Sequence, residues 1–203
     1  MINKKRLEEL KVCQQFVKCF NSKYGKTYSE PELVPESKEA PDCIARDISN
    51  PKIICHFEIT KSSPEEAKNM GIYSEHELFS ESQDEYSEYL KQASVLYTLL
   101  VSNKAAKYST EFKSQLIILL EGANIDYEDE DIKIIVSKIF GTRKWQEKLK
   151  KLGFKEVWYV STKDIFKFYP LDNFALFTKG AVGAADCKRF KEMILPEIIQ
   201  TGF

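Results

Sequence analysis

The stretch that decides the fold is residues 41–61, which read PDCIARDISNPKIICHFEITK. Two apolar runs, 43–48 and 53–60, flank the sequence Ser-Asn-Pro-Lys at 49–52, which is typical of a turn. The pattern predicts that the two runs pair as antiparallel strands about this turn.

The predicted hairpin brings two acidic residues together. Asp42 precedes the first strand and Glu58 lies late in the second. The turn centre near residue 50 places them opposite each other or one residue out of register, and cross-strand neighbours are about 5 Å apart. Two carboxylates at that separation repel each other unless a cation lies between them. The hairpin is therefore a candidate site for a divalent metal ion.

The second strand has two chemically different faces. Side chains alternate along a strand, so one face is wholly apolar and the other collects polar groups. The apolar face carries Ile53, Cys55, Phe57 and Ile59, and the polar face carries Ile54, His56, Glu58 and Thr60.

The rest of the chain predicts alternating helices and strands. Helices are expected at 4–21, 86–108, about 130–140, 145–151 and 187–200, and strands at 32–34, 114–121, 154–161 and 164–169. The fold predicted is a single α/β domain over 1–203, with a mixed central β-sheet flanked by helices. The polar stretch 62–85 is long for a connection, and we interpret it as a candidate flap.

Composition limits the class of protein. Hydrophobic residues make up 43% of the 203 residues, and 30 basic side chains balance 31 acidic ones. A nucleic-acid surface would therefore be a local patch. The five cysteines are odd in number and include no Cys-x-x-Cys pair, so we expect free thiols and a cytoplasmic protein without zinc. No apolar run is long enough to span a membrane, and no membrane partner is expected.

Two helices each direct one charge toward the core. On a helical wheel, Glu9 falls near the centre of the apolar face of the first helix. Lys104 falls at the centre of the apolar and aromatic stripe along one face of helix 86–108. Lys107 lies at one edge of that stripe. An inward charge requires a partner of opposite sign, a metal or a phosphate. The alternative is that each side chain reaches solvent from near its helix end.

These residues resemble the restriction-endonuclease-like superfamily, the PD-(D/E)XK nucleases. The resemblance rests on Pro41-Asp42, on Glu58 late in the next strand, and on the order helix, strand meander, helix, strand over 4–121. Residues 122–203 would then be an elaboration of the core. The resemblance implies that Glu9 is the acid of the first helix, with Asp42 and Glu58 as the central pair.

The chain departs from this family at one position. The family lysine normally lies two residues after the second acid, where this chain has Thr60. Lys61 follows, but strand alternation directs it to the other face. Some family members carry the lysine on the following helix, where Lys104 is placed. Lys107 and Lys61 are the fallback candidates.

The resemblance implies a Mg²⁺-dependent or Mn²⁺-dependent endonuclease. Asp42, Glu58 and the Ile59 carbonyl would hold one cation, and Glu9 would hold a second or orient a water molecule. Lys104 would stabilise negative charge developing at the phosphate. His56 is an auxiliary base candidate, or simply a partly buried strand residue.

A basic cluster in the second half of the chain is the candidate nucleic-acid surface. It includes Arg143, Lys144, Lys148 and Lys151, and such side chains contact phosphates rather than bases. The alternative is an ordinary solvated helix face. The partner implied is DNA rather than RNA. Restriction-like enzymes often form homodimers to cut two strands, but no interface can be recognised in the sequence.

Two other functions stay open. In the first, the fold is nuclease-like but inactive, and the chain serves as a nucleic-acid-binding or protein-interaction subunit. Thr60 in the lysine position favours this alternative. In the second, the chain is an unrelated α/β interaction domain that uses residues 62–85 as its contact.

Overall fold

The computed structural model describes residues 4–35, 41–61, 97–98, 100–121 and 129–171. Within them the protein is an α/β structure with a six-stranded mixed sheet flanked by helices. This confirms the predicted fold class. The candidate flap at 62–85 and the predicted helix at 187–200 lie outside the described residues.

The elements follow the chain in a simple order. The helices are α1 (Lys4–Tyr24), α2 (97–98 and 100–107), α3 (Thr110–Lys113), α4 (Asp129–Ile135, followed by a π-helical turn at Val136–Phe140) and α5 (Arg143–Leu152). The strands are β1 (Glu32–Leu33), β2 (Cys43–Arg46), β3 (Ile54–Lys61), β4 (Leu116–Glu121), β5 (Glu156–Val160) and β6 (Ile165–Tyr169).

The order of strands in the sheet is the same as their order in the sequence. Strands β1, β2 and β3 form an antiparallel meander, β4 and β5 continue the sheet in parallel to β3, and β6 closes it in antiparallel pairing. A parallel neighbour requires a crossover connection rather than a tight turn. The helical residues of α2 lie in the connection between β3 and β4.

Each face of the sheet packs against a different set of helices. On one face, α1 buries Phe16 against Phe57 and Trp158, with ring centroids 5.6 and 5.5 Å apart. On the other face, Tyr97 of α2 packs against Tyr159, with ring centroids 5.5 Å apart. Strand β4 contributes to both cores, because Leu116–Leu120 is buried throughout, as its continuous apolar run predicts.

The register of the central hairpin is as predicted. Cys43 pairs with Phe57 and Arg46 pairs with Ile54, so the two strands are aligned about residue 50. Strand β2 ends at Arg46 rather than at Ile48. The predicted end was wrong because the Asp47 carboxylate accepts hydrogen bonds from the Ser49 and Asn50 backbone N–H groups and starts the turn earlier.

Two further element boundaries differ from the predicted ones for local chemical reasons. Strand β4 begins at Leu116 rather than Ser114, because residues 110–113 form a helical turn whose N–H group at Phe112 is capped by the Ser109 hydroxyl. The predicted basic helix is confirmed and extends to Arg143–Leu152, where Gly153 ends it with a φ of 84°. No helix within the described part of the chain is long and apolar enough to cross a membrane.

Candidate functional site

Glu58 lies on β3 with its side chain fully excluded from solvent, on the sheet face that α2 covers. Its Oε1 atom accepts from Lys104 Nζ at 2.6 Å and from Lys107 Nζ at 3.2 Å, and its Oε2 atom accepts from Tyr108 Oη at 2.5 Å. Residues three and four apart on a helix share one face, so this stretch presents all three donors to one carboxylate. We call Glu58, Lys104, Lys107 and Tyr108 the Glu58 cluster.

The donors explain how a carboxylate is tolerated in the core. A buried charge without partners costs several kcal/mol or more, and two ammonium groups with one hydroxyl remove most of that cost. Burial and the neighbouring Glu58 charge raise the pKa of Tyr108 far above its ordinary value. Tyr108 therefore stays protonated and donates to Glu58 at every physiological pH.

Asp42 lies immediately before β2 and is nearly buried. Its Oδ2 atom accepts from the Ile59 backbone N–H at 2.8 Å, which ties the residue to β3 one position beyond Glu58. Burial and, next, the charge of Glu58 raise the pKa of Asp42 to about 6, and the charge of Glu9 acts in the same direction. The Ile59 hydrogen bond and the charge of Lys104 oppose this rise. Because Cys43 pairs with Phe57, Asp42 and Glu58 are the next residues along the two strands, as the predicted hairpin requires.

Glu9 is buried at the first turns of α1 and belongs to the same neighbourhood. Arg6 lies between it and Asp42: Nη1 is 3.2 Å from Glu9 Oε2 and 3.3 Å from Asp42 Oδ1. Lys5 approaches Glu9 from the solvent side at 3.6 Å. The structure thus places the Glu9 carboxylate beside a guanidinium group rather than alone.

The auxiliary candidates take separate positions. Thr60 is buried on the same face of β3 as Glu58. Lys61 points to the opposite face, as alternation predicts, where its Nζ atom lies 3.0 Å from Glu8 and 2.9 Å from Glu121. We call these three residues the Lys61 cluster. It has no ion pair with Glu58 among the described residues.

His56 lies on the Glu58 face, near the start of β3. Its ring packs against Phe112 with centroids 5.5 Å apart, and its buried Nδ1 atom has no hydrogen-bond partner among the described residues. Burial, together with the charge of Lys155, lowers the pKa of His56, so the imidazole is neutral at pH 7. Its surroundings match the alternative of a partly buried strand residue.

Sequence reasoning missed two participants, Arg6 and Tyr108. Tyr108 follows Lys104 by four residues, a spacing that places both on one face of the predicted helix, but a tyrosine in an apolar stripe is typical of the core. Arg6 precedes Glu9 by three residues, which places both on one face of the helix. Its contact with Asp42 spans 36 positions, and no local pattern reveals it.

The oxygen atoms of Asp42 and Glu58 retain capacity to accept further contacts. Glu58 Oε1 receives two donors, and Glu58 Oε2 and the two Asp42 oxygens receive one each from the described residues. A carboxylate oxygen can accept about two such contacts, so three of the four retain capacity. The all-oxygen donor set suits Mg²⁺ or Mn²⁺. Within the described residues no group of three or more His, Cys, Asp and Glu side chains is arranged as a metal site.

The basic helix α5 presents its charges outward. It buries Trp145 and Leu149, while Arg143, Lys144 and Lys151 are exposed and Lys148 Nζ lies 5.2 Å from the Trp145 ring centroid. Arg143 pairs with Glu147 of the same helix at 2.8 Å. No hydrogen bond or ion pair in the described part of the protein joins α5 to the Glu58 cluster.

Comparison of the chain with protein-family models, curated proteins and solved structures gave no match in any of the three.

Proposed function

We propose that this protein is a Mg²⁺-dependent or Mn²⁺-dependent endonuclease that hydrolyses phosphodiester bonds of DNA. The observation that carries the proposal is the contact of Lys104 and Lys107 with the buried Glu58, beside Asp42. Paired carboxylates with adjacent ammonium groups combine the ligands of a metal ion with cations that face a phosphate.

The order of elements supports the proposed resemblance to PD-(D/E)XK nucleases. A helix, an antiparallel meander, a helix and a parallel strand follow one another from α1 to β4. Asp42 and Glu58 fall on the meander where the resemblance implies the acids. Thr60 stands where the lysine is expected, and Lys104 approaches the same carboxylate from α2.

Each residue of the site has a separate role in this proposal. Asp42, Glu58 and the Ile59 carbonyl would hold the cation, which when bound polarises the scissile phosphate and lowers the pKa of a bound water molecule. Lys104, with Lys107 beside it, stabilises negative charge that develops on the phosphate. Tyr108 holds the Glu58 carboxylate in one orientation, and the Ile59 N–H does the same for Asp42.

The substrate and setting are further parts of the proposal. The exposed basic side chains of α5 would contact phosphates of the nucleic acid without selecting a sequence. A cytoplasmic location fits the free thiols of Cys13, Cys19, Cys43 and Cys55. A role in defence against foreign DNA, and a homodimer that cuts two strands, rest on association with the family alone.

A second candidate is a nuclease-like subunit without catalysis, which binds nucleic acid or a protein. Arg6 and the lysines of the Glu58 cluster already balance the charges of Glu9, Asp42 and Glu58. A site neutralised by its own side chains can be stable without a metal ion. This observation favours the inactive candidate, as does Thr60 in the lysine position.

One experiment separates the two candidates. The purified protein is incubated with plasmid DNA, single-stranded DNA and RNA, each with Mg²⁺ or Mn²⁺ and with a chelator, beside Asp42→Ala and Glu58→Ala. We expect metal-dependent cleavage of DNA that both substitutions abolish. Cleavage that survives both would contradict the assigned site. Tight nucleic-acid binding without cleavage would support the inactive subunit.

A further inference from the structure

The Arg6 side chain is largely buried and belongs to the candidate site. It is 12% exposed although Arg6 lies in the first turn of α1. Nη1 contacts Glu9 Oε2 and Asp42 Oδ1, and Nη2 donates to the backbone oxygens of Val34 and, at 3.2 Å, of Asp42. One guanidinium therefore joins α1, the residue after β1 and the residue before β2.

The chemistry of arginine suits this position. A guanidinium is planar, keeps its charge at every accessible pH, and has five donors in a fixed arrangement. It can therefore hold two carboxylates and two carbonyl oxygens at once. A divalent cation shared by Glu9 and Asp42 would have to lie between the same two carboxylates.

The two neighbouring acid pairs differ in this respect. Arg6 bridges Glu9 and Asp42. In the described part of the chain no side chain bridges Asp42 and Glu58, because the lysines of α2 form ion pairs with Glu58 only.

We propose that Arg6 takes the place of a second divalent cation, so that the site binds a single Mg²⁺ or Mn²⁺ ion between Asp42 and Glu58. This inference rests on the proposed function. It also revises the role of Glu9, which positions Arg6 and does not bind the metal ion.

The test is the stoichiometry of Mn²⁺ binding to the full chain, measured by titration calorimetry and by the electron paramagnetic resonance signal of free Mn²⁺. We expect one equivalent for the wild type, with affinity reduced ~10-fold or more in Asp42→Asn and in Glu58→Gln. Glu9→Gln is expected to keep one equivalent with affinity within about threefold of the wild type.

Substitution of Arg6 gives the complementary result. Arg6→Gln removes the charge that bridges Glu9 and Asp42, and we expect it to bind a second, weaker Mn²⁺ ion. Arg6→Lys keeps a charge and should bind one. Arg46→Gln is the matched control. Arg46 is exposed on β2, and among the described residues its guanidinium donates only to the Pro51 carbonyl oxygen, so this variant should also bind one ion.

The outcomes distinguish the inference from the function on which it rests. Two equivalents in the wild type, with the second lost in Glu9→Gln, would overturn the role of Arg6 and leave the nuclease proposal standing. An Arg6→Gln protein that gives a native circular dichroism spectrum and still binds one ion would overturn it as well. Absence of Mn²⁺ binding in the wild type would overturn the proposed metal site itself. If Arg6→Gln does not fold, the numbers of Mn²⁺ ions bound by the wild type and by Glu9→Gln decide whether Arg6 takes the place of a second cation.

Discussion

Strand β3 carries an ion cluster on each face, and the two clusters are opposite in composition and in burial. In the Glu58 cluster a single anion, fully excluded from solvent, receives two lysines and a tyrosine. In the Lys61 cluster a single cation, with its side chain 31% exposed, lies between the carboxylates of Glu8 and Glu121. Three positions along one strand separate the two central residues, and strand alternation directs them apart.

This difference separates a structural ion pair from a candidate active site. Exposed ion pairs contribute little to stability, about 0–1 kcal/mol each. The Lys61 cluster consists of partly exposed pairs and joins α1, β3 and β4 at the edge of their packed core. The Glu58 cluster gathers ammonium groups around a carboxylate that also faces Asp42. A protein gains little stability from such an arrangement compared with apolar packing. Under the proposed function, the Glu58 cluster carries the activity and the Lys61 cluster has a structural role.

The largest expected effect on stability is that of Glu58→Ala. The substitution leaves the Tyr108 hydroxyl and two ammonium groups without their acceptor, while it relieves repulsion at Asp42. We expect the free energy of unfolding to fall by about 2–4 kcal/mol, less than for a fully buried pair because both lysines can reach water. Urea unfolding at pH 7 measures the change. Glu8→Ala in the Lys61 cluster is the control, and an equal loss there would contradict the comparison.

The next effect concerns the lysines and the cleavage rate. Lys104→Ala removes the ammonium group nearest to Glu58, and we expect the rate of metal-dependent DNA cleavage to fall about 100-fold, as when one preorganised donor is removed from a transition state. Lys61→Ala should leave the rate nearly unchanged. Single-turnover cleavage at saturating Mg²⁺ measures both. Equal losses would mean that the face of β3 does not decide function.

A smaller effect is expected for the tyrosine. Tyr108→Phe removes one hydrogen bond to a buried carboxylate and should lower the free energy of unfolding by about 1–2 kcal/mol. Tyr28→Phe, in the core between β3 and α1, removes a hydroxyl from a comparably buried ring and provides the control. Thermal unfolding of both variants measures the difference. A Tyr108→Phe protein as stable as the wild type would show that the hydrogen bond from Tyr108 to Glu58 makes no net contribution to the free energy of unfolding.

The ion clusters on the two faces of β3 should also differ in the sign with which their contribution to folding stability depends on pH. The pKa of Asp42 in the folded chain, about 6, exceeds its ordinary value of 3.8, so folding binds a proton in this interval and stability is lost as the pH rises through it. The hydrogen bond from Lys61 lowers the pKa of Glu8, so the Glu8 contribution is present at neutral pH and is lost as the pH falls through that lowered pKa.

Two substitutions isolate these contributions. Relative to the wild type, Asp42→Asn should gain about 1–3 kcal/mol between about pH 4 and pH 7. Glu8→Gln should lose stability relative to the wild type as the pH rises from acid to neutral. Urea unfolding at several pH values measures both, and slopes of the same sign would contradict the assignment. Because a metal ligand must be deprotonated, Mn²⁺ affinity should also weaken below about pH 6.

Much of this arrangement could be predicted from local patterns. The turn at 49–52 set the register that places Asp42 beside β3, and alternation separated Glu58 from Lys61. The helical wheels identified Glu9 and Lys104 as inward charges, and both are buried or half-buried partners in the structure. These features follow from periodicity within a single strand or helix, which the sequence records directly.

The remaining features depend on contacts between distant segments. Arg6 contacts Val34 and Asp42 because α1 crosses the start of the meander, and periodicity within α1 does not give that crossing. The Tyr108 ring is buried in the apolar core, as its place in the stripe of helix 86–108 predicts, but its hydroxyl group reaches Glu58 only when α2 lies over β3. The strand ends were shifted by side-chain caps at Asp47 and Ser109, which compete with the sheet for backbone N–H groups.

The most direct test of the central claim is Mg²⁺-dependent cleavage of DNA by the wild type, by Glu58→Gln and by Glu121→Gln, in folded proteins of equal concentration. The account predicts cleavage by the wild type that a chelator stops, a loss of at least ~1000-fold in Glu58→Gln, and a rate near that of the wild type in Glu121→Gln. Metal-dependent cleavage that persists in Glu58→Gln would contradict the assignment of function to this face of β3.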